Sequence, residues 1–238
     1  MSTYVLVHGA WGGSYGWTKF ANLLRADGHD VFTPSLTGQG ERNHLGGPNV
    51  NLTTHITDVE NLIKYEDLTT FVLVGHSYGG MVVTGVADHL HDQITDLVFL
   101  DAFLPRDGES CFDLGAAGGL EGARIEDGWK VMPMGPQPTG AESPEVAARL
   151  RKLSPQPIET FQEKVRLSKP LEERAFTLTY VKAAVDTFPN ARTNAFWDAA
   201  ARTKADPRWR YYELPCGHGI HAEMPNELQA ILYEVTSR

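Results

Sequence analysis

A chain of 238 residues, 42% hydrophobic and 21% charged, is long enough for one α/β domain carrying an insertion. Its net charge of −9 gives no electrostatic attraction to nucleic acid or to an anionic membrane surface, and no apolar run approaches the ~20 residues of a membrane-spanning helix. Cys111 and Cys216 lack metal-ligand spacing and form no disulfide framework. They are expected to be reduced thiols of a cytoplasmic protein, and a strand starting as early as Tyr4 is expected to leave no room for a signal peptide.

Taken in order, residues 4–7 are mostly β-formers and run straight into His8-Gly9-Ala10-Trp11-Gly12-Gly13. A strand ending in a glycine-rich loop can present backbone N–H groups to a developing oxyanion. A helix follows, with Ser14 as its expected cap, Trp17, Phe20, Leu23 and Leu24 at helical spacing, and Gly28 at its end. Residues 30–33 read as the second strand, which Pro34 stops. Residues 35–51 read as a solvated loop, with Glu41 and His44 as the side chains there that could touch a ligand. Thr53 or Thr54 is expected to start a helix with Ile56, Val59, Leu62 and Ile63 on its apolar face.

Residues 71–74 are a short apolar run of the kind that forms a buried parallel strand, and residues 81–91 read as a helix. Between them lies Gly75-His76-Ser77-Tyr78-Gly79-Gly80. Strand, G-x-S-x-G and helix together make a nucleophile elbow, in which a sharp turn lifts the serine hydroxyl clear of the sheet. Gly75 and Gly79 are expected where strand and helix approach too closely for side chains. Residues 94–101 form the next strand. The repeated strand–helix order predicts a parallel sheet of about six strands with right-handed crossovers.

After Pro105 the chain turns glycine- and proline-rich, with no amphipathic period until residues 144–153. We read 106–172 as a cap inserted into a core of 1–105 and 173–238. Trp129 and Met132 of the cap, with Trp11 and Phe103, are the candidate pocket residues. Regular structure resumes with a strand over 176–181, a helix over 194–205, a last strand over 209–214 and a closing helix over 226–235.

A serine is a weak nucleophile until a base takes its proton, and that base needs a third group to orient it. Ser77 is the candidate nucleophile. His218, in a glycine-flanked loop after the last strand, is the candidate base, with His221 its one serious rival. His8 and His76 are expected to brace their turns, while His29, His55, His89 and His91 sit on helices or turns without an evident partner. Asp186, after the 176–181 strand, is favoured as the acid, and Asp101, after the preceding strand, is the alternative. The backbone N–H groups of Ala10 and Tyr78 would form the oxyanion hole.

With these motifs in view, the chain resembles the α/β-hydrolases of the branch that holds plant methylesterases, hydroxynitrile lyases and many small bacterial esterases. The resemblance rests on residues 5–11, the 75–80 elbow, residues 97–105, and Gly217-His218 followed by Pro225-Asn226-Glu227-Leu228. It implies the α/β-hydrolase fold with an inserted cap, and a serine carboxylesterase that takes a small-molecule ester without cofactor or metal; a ligand-binding or signalling protein on the same fold, and a hydrolase of lactones, thioesters or amides, are the alternatives. Monomer and homodimer both stay open. It also implies that lyase activity is absent. Hydroxynitrile lyases of this branch carry threonine after the first-loop histidine and lysine after the catalytic histidine, where this chain has Gly9 and Gly219.

Overall fold

The computed structural model describes residues 1–116, 123–134, 147–148, 150–185 and 195–237. In chain order the core comprises β1 (Thr3–Val7), α1 (Thr18–Ala26), β2 (Asp30–Phe32), α2 (Leu52–Tyr65), β3 (Phe71–His76), α3 (Gly79–His89) and β4 (Ile94–Leu100). The intervening segment holds β5 (Ile125–Glu126), β6 (Lys130–Val131), β7 (Gln156–Pro157) and the short α4 (Glu159–Gln162). The core then continues with β8 (Thr177–Ala183), α5 (Ala195–Ala205), β9 (Trp209–Leu214), α6 (Ile220–Glu223) and α7 (Pro225–Thr236).

Six strands form one sheet in the order β2-β1-β3-β4-β8-β9, every neighbouring pair parallel. All six C-terminal ends therefore open on one edge, where an α/β sheet places its ligands. Side chains alternate with the two-residue period of a strand. Val5, Val7, Leu73, Leu97 and Phe99 pack into the layer of α2, α3 and α5, while Tyr4, Leu6, Val72, Val74 and Val98 pack into that of α1 and α7. A parallel sheet covered on both faces needs apolar residues on both, which is why its strands read as unbroken hydrophobic runs.

On α2, the buried Ile56, Val59 and Ile63 contribute about 1.5–3 kcal/mol each by leaving water. That helix begins earlier than its sequence suggests: Asn51 is the cap, its side chain accepting the Thr54 N–H at 2.9 Å in a capping box. Ser14 is not a cap either. It opens a 3₁₀ turn over Ser14–Trp17 that makes no side-chain cap bond, and α1 starts after it.

Among the described residues of 106–172, none joins the main sheet; β5, β6 and β7 pair antiparallel in a small sheet of their own. Of residues 144–153, where the amphipathic period resumes, 147, 148 and 150 are helical, and 144–146 and 149 lie outside the described residues. Among the described residues no helix is long and apolar enough to cross a membrane.

Candidate active site

Ser77 sits between β3 and α3 with φ +55°, a left-handed conformation that costs a side chain energy and marks the sharp turn of an elbow. The turn has no space to spare. A β-carbon on Gly75 would lie 2.6 Å from Val83, and one on Gly79 would lie 2.7 Å from the Val7 carbonyl oxygen.

The loop after β1 lies directly against the serine, since a β-carbon on Gly9 would come within 2.9 Å of Ser77 Cβ. His8 braces that loop. Burial lowers its pKa, and the neutral ring donates from Nδ1 to the Gly9 carbonyl at 2.8 Å and accepts the Leu36 N–H at Nε2. Among the described residues the N–H groups of Ala10 and Tyr78 have no hydrogen-bond partner. Two unpartnered donors beside a strained serine can receive an oxyanion.

The end of β4 is bonded to the same turn. The Ser77 N–H donates to the Leu100 carbonyl at 3.2 Å, and the Ser77 carbonyl accepts the Phe103 N–H at 3.1 Å. Between those two residues stands Asp101, itself at φ +41° and held by its N–H to the Val181 carbonyl at 2.8 Å. Its two carboxylate oxygens have different partners. Oδ2 lies 2.7 Å from His218 Nδ1, and Oδ1 lies 2.7 Å from Lys182 Nζ. A carboxylate only accepts, so His218 carries its hydrogen on Nδ1, which leaves Nε2 as the ring's proton acceptor.

The His218 ring is held between two aromatics, Phe196 stacked at 5.0 Å between centroids and His76 at 4.6 Å. His76 is kept well below the usual imidazole range by burial and by the neighbouring His218 and His221, and its neutral Nε2–H donates to the His218 carbonyl at 2.8 Å. Glu223 closes the loop from the other side by accepting the Gly217 N–H. His221 makes another of the ring contacts of His76, 5.0 Å from it and 4.2 Å from Trp17 between centroids, while the contact with the Asp101 carboxylate is made by His218.

Asp186 lies outside the described residues. Of the expected pocket residues, Phe103 packs edge-on against Phe196 at 5.1 Å. Trp11, at φ +61°, ties the first loop to the inserted segment: its N–H donates to Gln156 Oε1, its indole N–H to the Val131 carbonyl, and its carbonyl accepts the Ser154 N–H. Trp129 lines a groove of about 260 Å³ with Gly38, Asn43, Gly46, Lys130 and Pro155, apart from Ser77 and His218. Met132 is half-buried and bonds through its N–H to the Arg124 carbonyl. Glu41 and His44 are exposed, with Glu41 accepting the Ser35 hydroxyl.

Sequence reasoning missed three residues. His55 does have a partner: its Nε2–H donates to the Thr37 carbonyl and Nδ1 accepts the Tyr78 hydroxyl at 2.9 Å. Its place one turn before Val59 on an apolar face was the available signal. Lys182 and Phe196 gave none, because β8 runs two residues past its expected end and α5 begins against the histidine loop. Among the described residues no three His, Cys, Asp or Glu side chains are arranged to hold a metal ion.

Comparison with known proteins agrees with this architecture. The model of the alpha/beta hydrolase family matches residues 4–230. A carbendazim hydrolyzing esterase from a Nocardioides species is 37% identical, the match covering 96% of this chain and 97% of that protein. Methylesterase 2 of Arabidopsis thaliana is 34% identical over a match covering 43% of this chain and 40% of that protein. Among solved structures, an extracellular alpha/beta-hydrolase from a Paenibacillus species, reported to share structural and functional homology with tobacco Salicylic Acid Binding Protein 2, superposes with a TM-score of 0.79 at 25% identity, covering 100% of both chains. The Arabidopsis methylesterase MES16 has the same fold, with a TM-score of 0.78 at 23% identity over 100% of this chain and 99% of its own. The chain therefore belongs to the alpha/beta hydrolase family and is a carboxylesterase-like enzyme.

Proposed function

We propose that the protein is a serine hydrolase that cleaves carboxylic esters through an acyl-enzyme on Ser77, with His218 as base and Asp101 as the orienting acid. The observation that carries this reading is the 2.7 Å contact between Asp101 Oδ2 and His218 Nδ1, made at strand ends bonded to the elbow. Asp101 replaces Asp186 as the favoured acid because its carboxylate has that contact, and because its positive φ is strain of the kind that collects at functional sites.

In the first half-reaction Ser77 Oγ bonds to the ester carbonyl carbon while its proton passes to His218 Nε2. The carbonyl oxygen, now an anion, is received by the Ala10 and Tyr78 N–H groups. The C–O bond to the alcohol then breaks, and His218 returns the proton to the departing oxygen. In the second half, water gives its proton to His218 and attacks the acyl carbon; Ser77 Oγ leaves with that proton, and the acid is released.

Small to medium apolar or aromatic esters fit the aromatic surroundings of Trp11, Phe103 and Phe196. The names of the relatives, esterase and methylesterase, point to the same bond. Residues 106–172 act as the cap, linked to the oxyanion loop through Trp11. Lyase chemistry is disfavoured by space as well as by composition, since Gly9 has no room for a threonine side chain beside Ser77. The two buried free cysteines accord with a cytoplasmic enzyme.

Hydrolysis of a p-nitrophenyl ester series from acetate to decanoate tests the reading. Ser77→Ala is expected to abolish turnover while the protein stays folded, and a folded variant that keeps its activity would sink the mechanism. A second reading, ligand binding on a hydrolase fold, draws on the Paenibacillus neighbour's homology to a protein named for binding salicylic acid. Multiple turnovers per protein molecule exclude it.

A further inference from the structure

The acid of the proposed triad is itself paired with a buried lysine that takes part in neither half-reaction. Lys182 and Asp101 are the most enclosed ion pair at the site, with side chains 3% and 4% exposed. The ammonium has three N–H bonds and three receivers. It lies 2.7 Å from Asp101 Oδ1, donates to the Ala183 carbonyl at 2.6 Å, and faces the Trp197 ring with 4.1 Å to the centroid. Its position follows from the sheet: β8 lies between β4, which delivers Asp101, and β9, which delivers the His218 loop. Trp197 and Phe196 are consecutive on α5, so one helix end covers the lysine with one ring and His218 with the other.

We propose that Lys182 is a positioning residue for catalysis: by occupying Asp101 Oδ1 it reserves Oδ2 for His218 and supplies the charge that a buried carboxylate requires. This rests on the reading of Asp101 as the acid. A carboxylate can rotate about its Cβ–Cγ bond and offer either oxygen, and apart from Lys182 the donor among the described residues that holds Oδ1 in place is the Ala183 N–H, at a long 3.4 Å. A cation fixed on Oδ1 removes that freedom. Burial adds a second requirement, because an unpaired charge away from water is strongly destabilised. Lys182 meets both, and its effect on the reaction passes entirely through the Asp101–His218 bond.

The test is a double-substitution cycle on hydrolysis of p-nitrophenyl acetate, with folding followed by circular dichroism. Lys182→Met keeps the stem and deletes the charge. It is expected to lower kcat by about 10- to 100-fold, as for a misaligned catalytic group, with KM little changed. In an Asp101→Asn background the same substitution is expected to change kcat by less than about 3-fold, because the bond through which it acts is already gone. A merely structural lysine would lower kcat equally in both backgrounds, and that result would overturn the proposal. So would wild-type kcat in Lys182→Met alongside a severely impaired Asp101→Asn. Wild-type kcat in Asp101→Asn would overturn the underlying assignment of the acid instead. Should Lys182→Met not fold, Lys182→Gln, which can keep a donor on Oδ1 without the charge, is read in the same cycle: coupled loss supports the proposal, and no loss refutes it.

Discussion

Placing one methyl group on Gly9 tests whether the first loop is held against the nucleophile. A β-carbon there would stand 2.9 Å from Ser77 Cβ and 3.2 Å from His76 Nδ1. Non-bonded carbons rest about 3.5–4.0 Å apart, so in Gly9→Ala the loop or the serine must give by about 0.6–1.1 Å. The serine is the less able to move, since both its N–H and its carbonyl are bonded to the chain around Asp101. The loop therefore retreats and takes the Ala10 N–H with it. An oxyanion donor works over only a few tenths of an ångström around 3 Å, and losing one lowers kcat by ~10²–10³. We expect Gly9→Ala to lower kcat about 100-fold with a small change in KM, and to reduce stability by about 1–3 kcal/mol as an overpacked site does. Steady-state hydrolysis of p-nitrophenyl acetate and a urea unfolding curve measure the two effects. Gly16→Ala is the control, because a β-carbon there meets nothing within 4 Å. Gly9→Ala with wild-type kcat and stability would refute the close approach of loop and serine, and with it the role given to Ala10.

Exchange of the acid separates the two carboxylates. Asp101→Asn offers His218 an amide in place of an acceptor-only group, which allows the wrong tautomer, and kcat is expected to fall by up to ~10⁴; Asp186→Asn should leave kcat within about 2-fold of the wild type. The reverse ranking would return the role to Asp186. Buried imidazoles also make stability depend on pH. Burial lowers His55 to about 4, with weaker opposing contributions from the Thr37 carbonyl and Asp58, so the unfolded chain binds its proton first as pH falls. The stability tied to His55 is complete above pH ~6.5 and drains away as pH drops toward 4, by roughly 3 kcal/mol in all. His8 and His76, lowered by burial as well, act in the same direction. Urea midpoints between pH 7 and 4 should therefore fall less steeply in His55→Gln than in the wild type, and parallel slopes would contradict this.

The parts of this protein that could be read in the sequence are those whose neighbours are close in the chain. β3, the elbow and α3 are consecutive, and each announces itself through local chemistry: an apolar run, flanking glycines at a crowded turn, and a helix. The same holds for the alternation of strands and helices, because a sheet buried on both faces forces both faces of every strand to be apolar. The described residues of 106–172 resisted because strands of two residues, as in β5, β6 and β7, are too short to impose a period on a sequence.

What only the tertiary structure decided is which groups meet at the strand ends. Asp101 and His218 are 117 residues apart and touch because β4, β8 and β9 are neighbours in the sheet. Strand order is a property of the whole chain, and an aspartate after β4 looks in sequence no different from one after β8. Lys182 was hidden for a related reason. In sequence it is a cation just beyond an apolar strand, where solvent is the ordinary expectation. In the fold, β8 continues through it between two paired strands, so it is enclosed, and the carboxylate delivered by the strand beside it becomes its partner.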